Sequence, residues 1–144
     1  SRDEIYRFSE EAMVIDKGRI IVHKPTKELF ANPETVEAAR LTGCKNILEV
    51  IGEDGGKKII GIRAHEFETV KPLSSDYFTF KVLEPRVTED LFEYNITFRP
   101  AEESDHMLDW KISKYQWDME HEGMPKEIYL KKEKILLLEQ AYFL

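Results

Sequence analysis

Arg63 and His65 stand two residues apart in Gly61-Ile62-Arg63-Ala64-His65, so an extended backbone puts both side chains on one face. A guanidinium presents forked donors that match an oxyanion in shape and charge. Lys45 can add a second positive charge, and Thr42 or backbone amides can complete the shell. The chemistry would be anion binding with no catalytic group. A competing reading gives Arg63 a structural task, tying strand carbonyls or a carboxylate such as Glu66 or Glu68.

Other chemistries find little support in residue type and spacing. A phosphate-binding loop needs the spacing Gly-x-x-x-x-Gly-Lys-Ser/Thr, which lets backbone N–H groups cradle phosphates, and the sequence has none. Gly52, Gly55 and Gly56, set around Glu53 and Asp54, read instead as a hairpin turn. His23, His65, His106 and His121 are too scattered for a metal motif, and no metal ligand set is expected. Asp118, His121 and Glu122 could attract a cation, but a solvated loop before Gly123-Met124-Pro125 is the simpler account. Cys44, the sole cysteine, permits no intrachain disulfide and reads as a small packed hydrophobe. No Ser/His/Asp or Cys/His set has usable spacing, so no catalytic residue is expected.

The elements that would position Arg63, His65 and Lys45 are short. A helix is expected over 2–11, then strands over 12–15 and 19–23 joined by Asp16-Lys17-Gly18. Thr26 is a candidate N-cap for a helix over 27–31 that Pro33 ends. A further helix over 34–41 stops at Thr42-Gly43. From Lys45 onward the pattern becomes strands over 47–51, 58–63, 77–83, 92–98, 108–112, 128–130 and 135–138. Phe92, Tyr94, Ile96 and Phe98 alternate with polar residues most clearly. A phase shift to Tyr115 and Trp117 suggests a bulge near Ser113-Lys114. The expected architecture is mainly β: a small α/β appendage over 1–44, then an antiparallel β-barrel over 45–144.

Composition narrows the partners. The 144 residues are 42% hydrophobic and 34% charged, enough for a packed core. A net charge of -7 argues against nucleic acid held by phosphate contacts. The same charge, with the period-2 spacing, makes the aromatic residues core rather than a base-stacking platform. No apolar run approaches the ~20 residues of a spanning helix, so a link to a membrane would run through a partner.

Three segments carry a family resemblance: Gly18 to Pro33, Leu41-Thr42-Gly43-Cys44-Lys45-Asn46, and Gly61-Ile62-Arg63-Ala64-His65. Together they resemble the C-terminal part of the ATP-binding subunit of ABC importers of the molybdate/sulfate type. There the nucleotide-binding domain hands over to a transport-associated OB-like (TOBE) domain. The resemblance implies that 1–44 is the end of the nucleotide-binding domain, with residues 2–8 as its joint, and that 45–144 is the regulatory barrel. It further implies that the chain is a cut piece of a longer protein. ATP and Mg would belong to the full-length parent, an ATP-hydrolysing enzyme, while the fragment would not hydrolyse ATP and would hold no cofactor of its own. Molybdate or a related oxyanion would be the ligand, near Arg63, His65 and Lys45. The partners implied are the missing ATPase domain, a membrane permease and a second copy in a homodimer, at the cytoplasmic face of the membrane. The outer strands 92–98 and 108–117 would be the self-associating surface.

Two alternatives remain open. Only Gly52 to Lys58 separates the first two barrel strands, where that family carries a longer insert, which favours a ligand-free structural dimerisation module. The equivalent region of a sugar or polyamine importer ATPase is the other.

Overall fold

The computed structural model describes residues 2, 6–7, 11–74, 76–120 and 123–140. The fold is mainly β, with ten strands and three short helices among the described residues. They divide into two compact units, 1–62 with 135–144 and 63–134. The boundary expected between 44 and 45 therefore falls inside the first unit.

In the first unit, β1 (Glu11–Asp16) and β2 (Arg19–Pro25) form an antiparallel hairpin. Lys17 and Gly18 both have positive φ (52° and 76°), the requirement of the tight turn whose twist matches the strands. Of the helix expected over 2–11, Arg2, Tyr6 and Arg7 are described and helical, and Glu11 opens β1 instead. Ile5 and Phe8, which were to form its apolar side, lie outside the described residues. Helix α1 (Thr26–Ala31) corrects the expected capping, because Pro25 is the cap residue and Thr26 lies inside the helix. A proline fixed at φ -52° suits the entry to a helix. The Thr26 hydroxyl is buried and has no hydrogen-bond partner among the described residues.

Helix α2 (Val36–Leu41) starts two residues later than expected, because the Thr35 side chain accepts from Ala38 N and sets the boundary. After it, β3 (Asn46–Ile51), β4 (Lys57–Ile62) and β10 (Leu136–Leu138) form a sheet in the order β10-β4-β3. Gly52 N–H donates to Gly56 O, and Gly55 N–H to Gly52 O, closing the hairpin expected there. Val36, Ala39, Cys44 and Leu138 make one small core, and Val14, Leu29 and Ala38 another.

The second unit opens with a 3-10 turn, Ala64–Glu66, and contains two further sheets. Strand β5 (Tyr77–Lys81) pairs with β9 (Glu127–Lys131), and β6 (Leu83–Glu89), β7 (Glu93–Arg99) and β8 (Leu108–Ser113) form the order β6-β7-β8. The single strand expected over 77–83 is thus two. The chain crosses Val82 and bulges before Arg86, with Glu84 at φ 49°. The bulge expected near Ser113-Lys114 is instead the start of α3 (Lys114–Glu120), where the Ser113 hydroxyl accepts from Gln116 N. Phe98, Trp110, Ile96, Leu108, Ile128 and Leu130 are fully buried. Phe67 meets Phe80 and Phe98 edge-on, each at 5.6 Å between ring centroids. Among the described residues all four sheets are antiparallel ladders in open order, and no ladder closes into a barrel.

Candidate oxyanion site and the motif that frames it

Leu41-Thr42-Gly43-Cys44-Lys45-Asn46 is organised almost wholly by backbone needs. The Thr42 hydroxyl bonds the Ala38 and Ala39 carbonyls, satisfying helix-end acceptors that would otherwise lack partners. Gly43 then turns the chain at φ 100°, a conformation that a side chain disfavours. Cys44 is buried, and its Sγ lies 3.1 Å from where a Cβ on Gly61 would sit. Asn46 is buried too, and its Nδ2 donates to Ile62 O at 3.0 Å. The two segments Leu41 to Asn46 and Gly61-Ile62 therefore pack directly against each other. Lys45, like Leu41 at the other end of the segment, is exposed to solvent.

Arg63 follows β4 and precedes the 3-10 turn, with extended backbone (φ -71°, ψ 133°) and a half-buried side chain. His65 sits inside that turn, exposed, with Nε2 3.4 Å from Glu66 Oε1. The other Glu66 oxygen faces Lys134 Nζ at 3.8 Å. Glu68 is held by Lys131 at 3.9 Å and by a two-way backbone bridge to Tyr129. Both carboxylates that are candidate braces for Arg63 thus lie within reach of a lysine. The Glu66 contact also puts a negative charge beside His65, which works against an anion there.

The three expected site residues do not share one unit. Arg63 and His65 open the second, and Lys45 belongs to the first. Among the described residues no group of three or more His, Cys, Asp or Glu is placed to hold a metal ion. Asp118 is exposed at the outer side of α3, while His121 and Glu122 lie outside the described residues. No described helix is long and apolar enough to cross a membrane.

One carboxylate with a shifted titration escaped the sequence reading. The Asp54 carboxylate is held below its ordinary value, first by the Gly56 N–H that donates to it at 2.9 Å and then by Lys58. The Asp-x-Gly spacing of a side-chain-closed turn was the available signal. No protein-family model matches the chain, and no curated protein matches it.

Proposed function

We propose that this chain is the C-terminal regulatory region of the ATP-binding subunit of an ABC importer, for molybdate or a related oxyanion. The observation that supports the reading most is the packing of Leu41 to Asn46 on Gly61-Ile62. Leu41 to Asn46 and the Gly61-Ile62 start of the third segment meet through Cys44, Gly61 and the Asn46–Ile62 hydrogen bond. In the parent, hydrolysis of ATP with Mg would drive import through a membrane permease at the cytoplasmic face. This region would contact the second ATPase subunit and bias the resting state according to oxyanion binding, which requires unequal affinity for two states. The finer fold assignment, an OB-like TOBE barrel, is part of the same proposal.

Arg63 would grip the oxyanion, with His65 beside it in the same unit. Calorimetric titration of the chain with molybdate, tungstate and sulfate tests this, with light-scattering mass on the same sample. Saturable binding that Arg63→Ala abolishes supports the reading. Absence of heat with all three anions removes the sensing role. A clean dimer in that case favours the second reading, a ligand-free dimerisation module. The His65–Glu66 contact and the short Gly52–Gly56 turn already lean that way.

A further inference from the structure

The second unit carries an apolar surface that its own core leaves uncovered. Leu91 and Phe92, in the turn between β6 and β7, are 77% and 78% exposed. Lys114 N–H donates to Phe92 O at 3.0 Å, which seats the start of α3 beside that turn. On α3, Tyr115 and Met119 are four residues apart and therefore on one face, 76% and 69% exposed. The opposite face of the helix is turned inward, where Trp117 packs on Tyr94 and Trp110 at 5.6 and 6.1 Å. The helix thus keeps the usual inward apolar face and carries a second apolar strip that faces solvent.

The charges around this patch select its occupant. Lys114 is paired with Glu89 at 2.8 Å, and Lys111 with Glu93 at 3.8 Å. Asp90 and Asp118 border the same surface, and neither has an ion pair among the described residues; Asp90 accepts only from Asn95. The rim is therefore acidic after its lysines are counted. A second copy of this chain, at net charge -7, would bring the same acids to the contact. An anionic lipid surface would be repelled likewise.

We propose that Leu91, Phe92, Tyr115 and Met119, rimmed by Asp90 and Asp118, form a docking site for a basic amphipathic helix of a partner protein. Its leucine-like side chains would cover the aromatic and Met surface, and its lysines or arginines would face the two aspartates. Aromatic anchors of this kind supply most of the binding energy, and the rim charges supply on-rate and selectivity. The site contains none of Arg63, His65 and Lys45, so its success or failure is independent of oxyanion binding.

The test uses the full chain and a synthetic Leu/Lys helical peptide of about 18 residues, five turns, with a Leu/Glu peptide of the same pattern as control. Trp117, under the patch, reports binding by its fluorescence. Phe92→Ser with Tyr115→Ser should weaken binding at least about thirtyfold. Asp90→Lys with Asp118→Lys should weaken it about tenfold at low salt, a difference that shrinks as the Debye length falls toward ~3 Å. All four positions are exposed, so folding should be kept, and Leu73→Ser, elsewhere on the surface, should change nothing. Any of three results overturns the proposal. They are equal binding of the Leu/Glu peptide, binding indifferent to both double variants, or a dimer that Phe92→Ser with Tyr115→Ser dissociates.

Discussion

The sheets β10-β4-β3 and β6-β7-β8 have the same number of strands and the same antiparallel order, yet they are held by opposite means. The central strand of the first, β4, is exposed at Lys57 and Lys58 and becomes buried only at Gly61 and Ile62. There the packing depends on missing volume. Gly61 leaves room for Leu138 and Cys44, whose atoms stand 3.0 and 3.1 Å from an added Cβ. The central strand of the second, β7, buries Ile96 and Phe98 between flanking residues, and β8 contributes Leu108, Trp110 and Ile112. There the packing depends on large rings. The edges differ as well. β6 carries Pro85 with Glu84, Arg86 and Glu89, which discourage a further strand, whereas β3 ends on Ile51 at 76% exposure.

If the second sheet rests on ring volume, Trp110→Ala should produce the largest loss of any single change. The side chain is fully buried, so a cost of about 3–5 kcal/mol is expected, read by urea unfolding with far-UV circular dichroism. Trp110→Phe sharpens the point. The indole N–H has no hydrogen-bond partner among the described residues, so removing it forfeits none. This variant should keep most of the stability that Trp110→Ala loses. Equal losses would mean that the indole nitrogen matters and that volume is the wrong account.

The first sheet should respond to added volume instead. Gly61→Val places methyl groups against Leu138 and the Cys44 sulfur, and overpacking of that kind costs about 1–3 kcal/mol. Cys44→Ala vacates the space taken by Sγ, so the double variant should recover part of the loss, the non-additive result expected of residues in contact. Strict additivity would break the comparison. A smaller effect is expected from Asn46→Ala. It removes the Nδ2 bond to Ile62 O, worth about 1 kcal/mol, and should lower the thermal midpoint by a few degrees.

Strand pattern was legible wherever alternation was strict. Glu93–Arg99 and Leu108–Ser113 were readable because their apolar residues recur every second position and the sheet has one buried face. β6 was not, since an edge strand with little buried surface has no reason to alternate and Pro85 argues against a strand at all. Tyr115 and Trp117 looked like a displaced strand because two aromatic residues two apart fit a period of 2. The Ser113 cap that turns them into a helix is a single hydroxyl. The aromatic strands expected to self-associate are mostly interior, and only Phe92 and Tyr115, at the ends, remain exposed. Of the candidate site, the shared face expected for Arg63 and His65 does not follow, because β4 ends at Ile62 and His65 lies in the 3-10 turn. The Glu66 contact to His65 was not legible either, because that turn replaces the extended backbone assumed there.

The smallest expected effect concerns the turn that joins β3 to β4. Asp54 is fully exposed, so its influence is local and is best read at the Gly56 amide. The Gly56 N–H donates to the Asp54 carboxylate, and Lys58 adds attraction, which together lower its pKa from the ordinary 3.8. A carboxylate lowered in this way contributes stability that is full above the unfolded pKa and fades as pH falls through the folded value. Amide exchange at Gly56, corrected for intrinsic rates, should therefore show protection that holds at neutral pH and weakens only in acid below about 4, the ordinary Asp value. Asp54→Ala should show reduced protection at neutral pH with no acid step, since the Gly56 N–H then has no carboxylate to donate to. If the step persists in that variant, another acid holds the turn, and the first sheet is not closed by this side chain. If it vanishes while Gly61→Val remains costly, the first sheet has two separable supports. One is steric at the Ile62 end and the other electrostatic at the Gly52 end, a division that the ring-packed second sheet does not share.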